Sequence, residues 1–411
     1  MTHEVDRMLD EIRQLAPSIA SRAAEIEAAR RMPADLVETL KAIGIYRMFV
    51  PRSHGGMELD LPQGLRVIVE LAKIDGSVGW TAMIAGGSAL IASLLNIQTY
   101  DQVYESGPDV ILGGSSQPGG TAQPAPGGWR VSGRWPFASG CQQAEWMVGF
   151  CVMTKDGKPF PGYAGEDGPP LVRGFILPAS EWQIEDTWHV AGLKGSGSHH
   201  IAIADKIVPE SNFFHIEGGV PCLPGPLYQS VLELIPVMHS AFSVGVAKGA
   251  LEELVAFANT GRRQLRAVTA MRDSELFQAE LGRVGADLRA AQAFMEAQAT
   301  SHWGHALAGT INDAALRMQS TQNAVWIAST CVRIADACFA LGGGSALYNA
   351  SPLQRRLRDL HAGAQHVVAQ QRNYAAVGKL LLENRVSKTP ASRAARSERQ
   401  PRRRVISLNA S

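Results

Sequence analysis

The sequence predicts an α+β chain in three parts: an N-terminal α-helical domain (residues 1–108), a middle antiparallel β domain (109–215) and a C-terminal four-helix bundle (216–386). Three observations carry this reading. Apolar residues recur at helical spacing up to about Pro108, short β-type runs broken by Gly and Pro follow, and long helical stretches return from Leu227.

From Val5 to Arg31, Ile12, Leu15, Ile19, Ala23 and Ile26 mark one face of a helix. Pro33 opens a second helix, Ala34 to Ile43, where its missing N–H costs nothing, and Gly44 ends it. Leu61 to Asp75 and Val78 to Leu95 read as two more helices, broken at Asp75-Gly76-Ser77. Next come the β-type runs around Val110-Ile111-Leu112, Trp129 to Val131, Trp146 to Val152 and Val172 to Leu177. The bundle helices are expected over Leu227 to Asn259, Ser274 to Ala308, Ile311 to Leu341 and Pro352 to Asn384. The tail, 387–411, is rich in Ser, Ala and Arg and reads as a basic, disordered appendage.

Composition excludes several classes. The 411 residues are 45% hydrophobic with a net charge of +1, which suits a large core and not a nucleic-acid-coating surface. The five cysteines are odd in number and lack C-x-x-C spacing, so neither a disulfide framework nor a zinc site is expected, and a reducing compartment is. The acidic N-terminus, Met1 to Asp6, does not read as a signal peptide. Val78 to Leu95 holds Gly86, Gly87 and Ser88 and makes a poor membrane span. The expectation is a cytoplasmic protein with neither nucleic acid nor membrane as partner.

Four motifs then follow in order. Gly44 to Pro51 runs into His54-Gly55-Gly56; Gly133-Arg134-Trp135-Pro136-Phe137-Ala138-Ser139-Gly140 opens the β domain; Gly192 to Ser198 leads into Ile201-Ala202-Ile203; and Leu341-Gly342-Gly343-Gly344-Ser345 precedes Pro352-Leu353 and Arg358-Asp359. In this order and spacing they resemble the acyl-CoA dehydrogenase superfamily, up to about Asn384. The resemblance implies that superfamily's fold, a flavin cofactor and a homotetramer built through the C-terminal bundles.

A flavin ring needs an apolar slot, hydrogen-bond donors and an anchor for its phosphate. Trp135 and Phe137 offer ring faces, Ser139 a hydroxyl and Gly140 a close backbone approach, although the same residues also read as a β edge with core aromatics and a turn serine. Gly195, Ser196 and Ser198 lie in a loop that reads either as a phosphate cradle or as a hairpin turn. Arg262 and Arg263 look like the family's arginine that reaches a flavin phosphate from another subunit, with a surface pair as the plainer reading. Gly343 and Gly344 belong to the fourth motif. No G-x-G-x-x-G stands between a strand and a helix, so no nicotinamide site of its own is expected.

A dehydrogenase of this superfamily needs a carboxylate base. The position nine residues past Arg358 holds Val367, and a second family location falls near Pro236, with Glu233 the nearest carboxylate. The last helix carries His361 and His366 instead, which resembles the two-component flavin-dependent monooxygenase branch, the phenol and aromatic hydroxylases. That branch implies reduced FMN or FAD delivered by a separate NAD(P)H:flavin reductase, O2, a flavin C4a-hydroperoxide, and hydroxylation of a small aromatic or polycyclic substrate. Histidine suits acid–base work near neutral pH. On a continuous helix the two histidines are about 140° apart, so only one faces the site; His366, beside the dehydrogenase base position, is preferred and His361 is the fallback. Trp80, Met83 and Ser88 are expected to shape the substrate pocket, or else are core. No metal site is expected: His199 and His200 alternate along a strand, and His302 and His305 lack a third ligand. The rival functions are an FAD-dependent acyl-CoA dehydrogenase and a catalytically silent scaffold.

Overall fold

A computed structural model describes residues 2–388, except Ala164, Ser230 and Gln264. The predicted tail therefore lies outside the described residues beyond its first two. Six helices come first: α1 (Thr2–Ser21), α2 (Ala23–Ala29), α3 (Ala34–Ile43), α4 (Leu61–Ile74), α5 (Gly76–Ala92) and α6 (Ile97–Val103). Asp60 caps α4 by accepting from Gln63 N at 2.8 Å, and Asp75 caps α5 by accepting from Ser77 N and Val78 N at 2.8 and 3.2 Å. α5 is buried on nearly every side, which is why its sequence is apolar all round.

The strands follow: β1 (Leu112–Gly114), β2 (Gly120–Ala125), β3 (Gly128–Ala138), β4 (Trp146–Lys155), β5 (Lys158–Pro159), β6 (Pro161–Gly162), β7 (Gly165–Pro170), β8 (Val172–Pro178), β9 (Gln183–Glu185), β10 (His199–Val208) and β11 (Phe213–Phe214). The main sheet runs β11-β8-β4-β2-β3-β10-β9. It is mixed and not purely antiparallel: β1 and β2 both pair with β4 in parallel. Sequence alternation reports which face a residue takes but not the direction of its neighbour, so this was not legible beforehand.

The C-terminal part holds α7 (Val231–Ala258), α8 (Glu275–Leu307), α9 (Ala314–Gly342), α10 (Pro352–Gly363) and α11 (Tyr374–Lys388). The single helix expected over Pro352 to Asn384 is thus two, because α10 stops at Gly363 and two short 3-10 turns, Val367–Ala369 and Gln371–Asn373, intervene. By length and composition α7 passes the test for a membrane span, yet 83% of its apolar window is buried against the other helices, as in a core helix.

Candidate active site

Four segments distant in sequence meet where α5, the end of β3, α7 and the turn after α10 converge. Trp80 on α5 is the hub. Its indole ring stands edge-on to His239 (5.9 Å between centroids), Phe242 (5.0 Å) and His366 (5.7 Å), while its Nε1–H donates to Ser139 Oγ at 3.0 Å.

From Ser139 a hydrogen-bond chain runs through the glycine-serine loop. Ser139 Oγ lies 2.7 Å from Ser198 Oγ, which lies 2.8 Å from Ser196 Oγ, and Ser196 donates to Leu193 O at 2.7 Å. Each hydroxyl has one hydrogen, so the direction is forced. Ser196 spends its hydrogen on Leu193, Ser198 must donate to Ser196, and Ser139 must donate to Ser198. Trp80 thereby starts a polarised chain of three serines. Replacing Trp80 by Phe keeps an aromatic face and removes the N–H; we expect reduced-flavin affinity to fall about 3- to 10-fold with little loss of stability, since one buried hydrogen bond is worth about 1 kcal/mol. Fluorescence titration and a thermal melt check this.

In the loop that reads as a phosphate cradle or a hairpin turn, four backbone amides already have partners within the protein. Leu193 N is taken by Asp359 (2.6 Å), Gly195 N by Ser77 Oγ (3.1 Å), Ser196 N by Leu193 O (3.1 Å) and Gly197 N by Lys194 O (3.3 Å). Its glycines serve close packing: a Cβ on Gly195 would sit 2.1 Å from Ile26 Cγ2, and one on Gly192 2.0 Å from Arg358 O. Asp359 is what holds this loop to α10. Burial pushes its carboxyl up to about 7, Asp75 adds to the rise, and the Leu193 N–H opposes it. The folded protein therefore keeps a proton that an unfolded aspartic acid loses above about pH 4, so stability from this group falls as pH climbs from about 4 to 7. Asp359→Asn keeps an oxygen for Leu193 N and cannot ionise. It should raise stability by about 1–3 kcal/mol at pH 8 and change it little at pH 4, as read by melts at both values.

His366 is not helical. It follows the end of α10 with extended backbone (φ −60°, ψ 145°) and caps the next turn, its Nδ1 accepting from Val368 N at 3.5 Å. The angular separation argued for His361 and His366 on one helix does not apply. His361 is exposed and pairs with Asp336 at 2.8 Å, outside the cluster. The residue that sequence reasoning missed is His239 on α7. Its ring stacks on that of His366 (5.5 Å, 23° between planes), and its Nε2–H donates to Gly363 O at 3.0 Å. Its signal was a lone histidine in the apolar run Leu234 to Val244, three residues past Pro236, where only a carboxylate was sought. Burial pushes His366 down to about 3, with the neighbouring His239 adding to the effect; burial likewise takes His239 down to about 4, against the Gly363 carbonyl. Both rings are neutral at pH 7.

Other predicted site residues are dispersed. Trp135 is fully buried in the β core, donating to Phe150 O at 2.6 Å and packing on Phe175 and Trp182, so its face is not open to a ligand. Phe137 is the opposite. Its ring is 60% exposed, its φ is +62°, and Trp188 stands edge-on to it at 6.3 Å. An aromatic residue in the left-handed region is strained, and such strain clusters at ligand sites. Gly140 (φ +72°) donates to Ser196 O at 2.9 Å and ties the end of β3 to the loop. Met83 and Ser88 are buried on α5. Arg262 and Arg263 are exposed in the loop after α7, Arg262 lying 5.3 Å over the Phe257 ring; Gly343 (φ +60°) and Gly344 form the turn between α9 and α10. Neither pair joins the cluster among the described residues. No group of three or more metal-ligating side chains occurs among them either.

The carboxylates of the dehydrogenase reading are also placed. Val367 stands where a base would be needed. Glu233 is wholly buried but its Oε1 is held by Arg317 at 2.5 Å, so it is committed to an ion pair between α7 and α9.

Comparison with known proteins places the chain in a family. The acyl-CoA dehydrogenase N-terminal domain family matches residues 2–105, and the acyl-CoA dehydrogenase C-terminal domain family matches residues 237–371. An indole-3-acetate monooxygenase of Pseudomonas putida is 31% identical over 379 residues, spanning 91% of this chain and 92% of the relative. The chain belongs to the acyl-CoA dehydrogenase superfamily. Within it, several similar proteins are monooxygenases or hydroxylases. The oxygenase component of an FADH(2)-dependent resorcinol hydroxylase from Rhizobium sp. is 28% identical over 407 residues, spanning 93% of this chain and 95% of its own. The crystal structure of the HsaA monooxygenase from M. tuberculosis superposes with a TM-score of 0.83 at 27% identity, covering 92% of this chain and 97% of that one. This superfamily member therefore lies in the flavin-dependent monooxygenase branch, not among the dehydrogenases.

Proposed function

We propose that the chain is the oxygenase component of a two-component flavin-dependent monooxygenase, acting with reduced FMN or FAD and O2 on a small aromatic substrate. The observation that carries this is the neutral, half-buried His366 beside the position where a dehydrogenase keeps its carboxylate, joined through Trp80 to Ser139 at the end of β3. The residues present suit a flavin: the exposed, strained Phe137 offers an uncovered aromatic face, and Ser139, whose hydrogen goes to Ser198, could accept a hydrogen bond through its remaining oxygen lone pair. A reduced flavin would supply the electrons that activate dioxygen, one oxygen atom going to substrate and the other to water.

The chain's own contribution is orientation, exclusion of water and hydrogen bonding. Because Nδ1 of His366 takes the Val368 N–H, the ring's proton is on Nε2, and His366 presents a donor to an oxygen atom at the reacting centre. Trp80 and Phe242 pack around the histidine pair with apolar surface and would keep it dry. Reduced flavin would come from a separate NAD(P)H:flavin reductase. In our reading the protein is a cytoplasmic homotetramer built through the bundles, where Leu276, Phe294 and Trp326 stand exposed on α8 and α9. Arg262 and Arg263 would then reach a partner's flavin phosphate.

The test is anaerobic titration with reduced and oxidised flavin, followed by oxygen in the presence of indole-3-acetate, resorcinol or p-hydroxyphenylacetate. Preferential binding of reduced flavin, with oxygenated product, is the expected result. Tight binding of oxidised FAD that an acyl-CoA reduces would overturn the reading.

A further inference from the structure

Gly363 O is a shared acceptor. It ends α10, takes the His239 Nε2–H at 3.0 Å and takes the backbone N–H of His366 at 3.1 Å. The side chain of one histidine and the main chain of the other therefore hang from a single oxygen. A carbonyl can only accept, so the proton of neutral His239 is on Nε2. Its Nδ1 is left buried with no partner among the described residues. Close packing holds the node in place: a Cβ on Gly363 would lie 2.7 Å from Phe242 Cε1 and 3.6 Å from Trp80 Cζ3, so the chain turns against the same rings that wall the site. The groups facing the two rings are Trp80, Phe242 and each other. Burial and the partner imidazole depress His366, and burial opposed by Gly363 O depresses His239; no carboxylate or cation contributes to either.

We propose that His239 is the positioning residue of this site, holding His366 in place through Gly363 and through the ring stack so that His366 keeps its Nε2–H turned to the reacting centre. The proposal rests on the monooxygenase reading for its catalytic consequence but not for its structural one. Burial keeps His366 neutral, repulsion from His239 adds to this only below about pH 4, where His239 itself takes a proton, and the turn carrying His366 cannot drift without breaking a buried hydrogen bond. The pair thus holds a hydrogen-bond donor and keeps it uncharged, with no carboxylate partner to fix it.

Two variants separate positioning from mere space-filling. His239→Leu keeps apolar bulk and loses the donor. His239→Gln places an amide N–H where Nε2 was and keeps the bond to Gly363 O. Product formed per O2 consumed should fall about tenfold in the leucine variant, with reduced-FMN affinity within about twofold of wild type, and should recover to within about threefold in the glutamine variant. Both variants remove the neighbouring imidazole, so the pH at which His366 becomes charged should rise. That is read without flavin, from the imidazole nitrogen signals of histidine-labelled protein: neutral with Nε2–H at pH 7 in wild type, and titrating at higher pH in both variants. Unchanged His366 signals in His239→Leu would overturn the proposal whatever the enzyme does. So would a glutamine variant no better coupled than leucine. If wild-type protein binds no reduced flavin and forms no product, the functional reading fails, while the nitrogen signals still decide the role of His239.

Discussion

Replacing His366 by alanine should lower product formation about 100-fold while leaving reduced-flavin affinity within about twofold, with oxygen diverted to hydrogen peroxide. His366 makes one weak bond through its side chain, the 3.5 Å contact from Val368 N, so little folding energy depends on it. What is lost is a donor held neutral by burial against Trp80 and His239. His366→Gln, which keeps a side-chain N–H, should recover part of the loss. The pH profile tests the assignment further: with both rings depressed to about 4 or below, product per O2 in wild type should be flat from about pH 6 to 9. An inflection near the ordinary histidine value, or an alanine variant with wild-type coupling, would remove His366 from the mechanism. The measurement is product and peroxide yield per reduced flavin oxidised, over that pH range.

The second large effect falls on stability. Arg356 is 2% exposed, and its guanidinium donates to Ala72 O (3.1 Å), Lys73 O (2.6 Å) and Ile74 O (2.7 Å) at the end of α4, and to Glu253 on α7 at 2.8 Å. One side chain thus satisfies three carbonyls that a helix end leaves open and neutralises a half-buried carboxylate. Arg356→Met should cost about 3–5 kcal/mol, because it strands Glu253 and those carbonyls away from water. Arg356→Lys should recover little, since a single ammonium cannot span the positions that the planar fork reaches. Denaturant unfolding, compared at constant slope, checks both. Because Asp359 clamps the Leu193 amide from the same helix, loss of α10 packing should also loosen the serine loop.

Much of the protein was legible in one dimension. Periodicity showed the helix–sheet–helix order, because a helix or strand repeats its apolar face every few residues. The cap at Asp75 and the stop at Gly44 are local effects, and local sequence reports them. The four motifs indicated the superfamily, and the valine at 367 beside His366 indicated its branch. Trp135 shows where such reading stops. A tryptophan and a phenylalanine two residues apart on β3 should share a face, yet Trp135 is core and Phe137, turned to φ +62°, is 60% exposed.

Which groups face one another was settled by contacts that no local pattern encodes. Trp80 and Ser139 are 59 positions apart, and His239 and Gly363 are 124. The end of α10 at Gly363 looks from sequence like the middle of a longer helix, and the close packing of that glycine on Phe242 and Trp80 is visible only in the folded chain. Glu233 reads as an available base until Arg317, 84 positions later, is seen to hold it. The sequence by itself determined the parts, their order and the absence of a carboxylate at 367, since composition and periodicity act over a few residues. Tertiary structure alone decided that two neutral histidines share one carbonyl, because burial and hydrogen-bond direction depend on what the rest of the chain brings to that point.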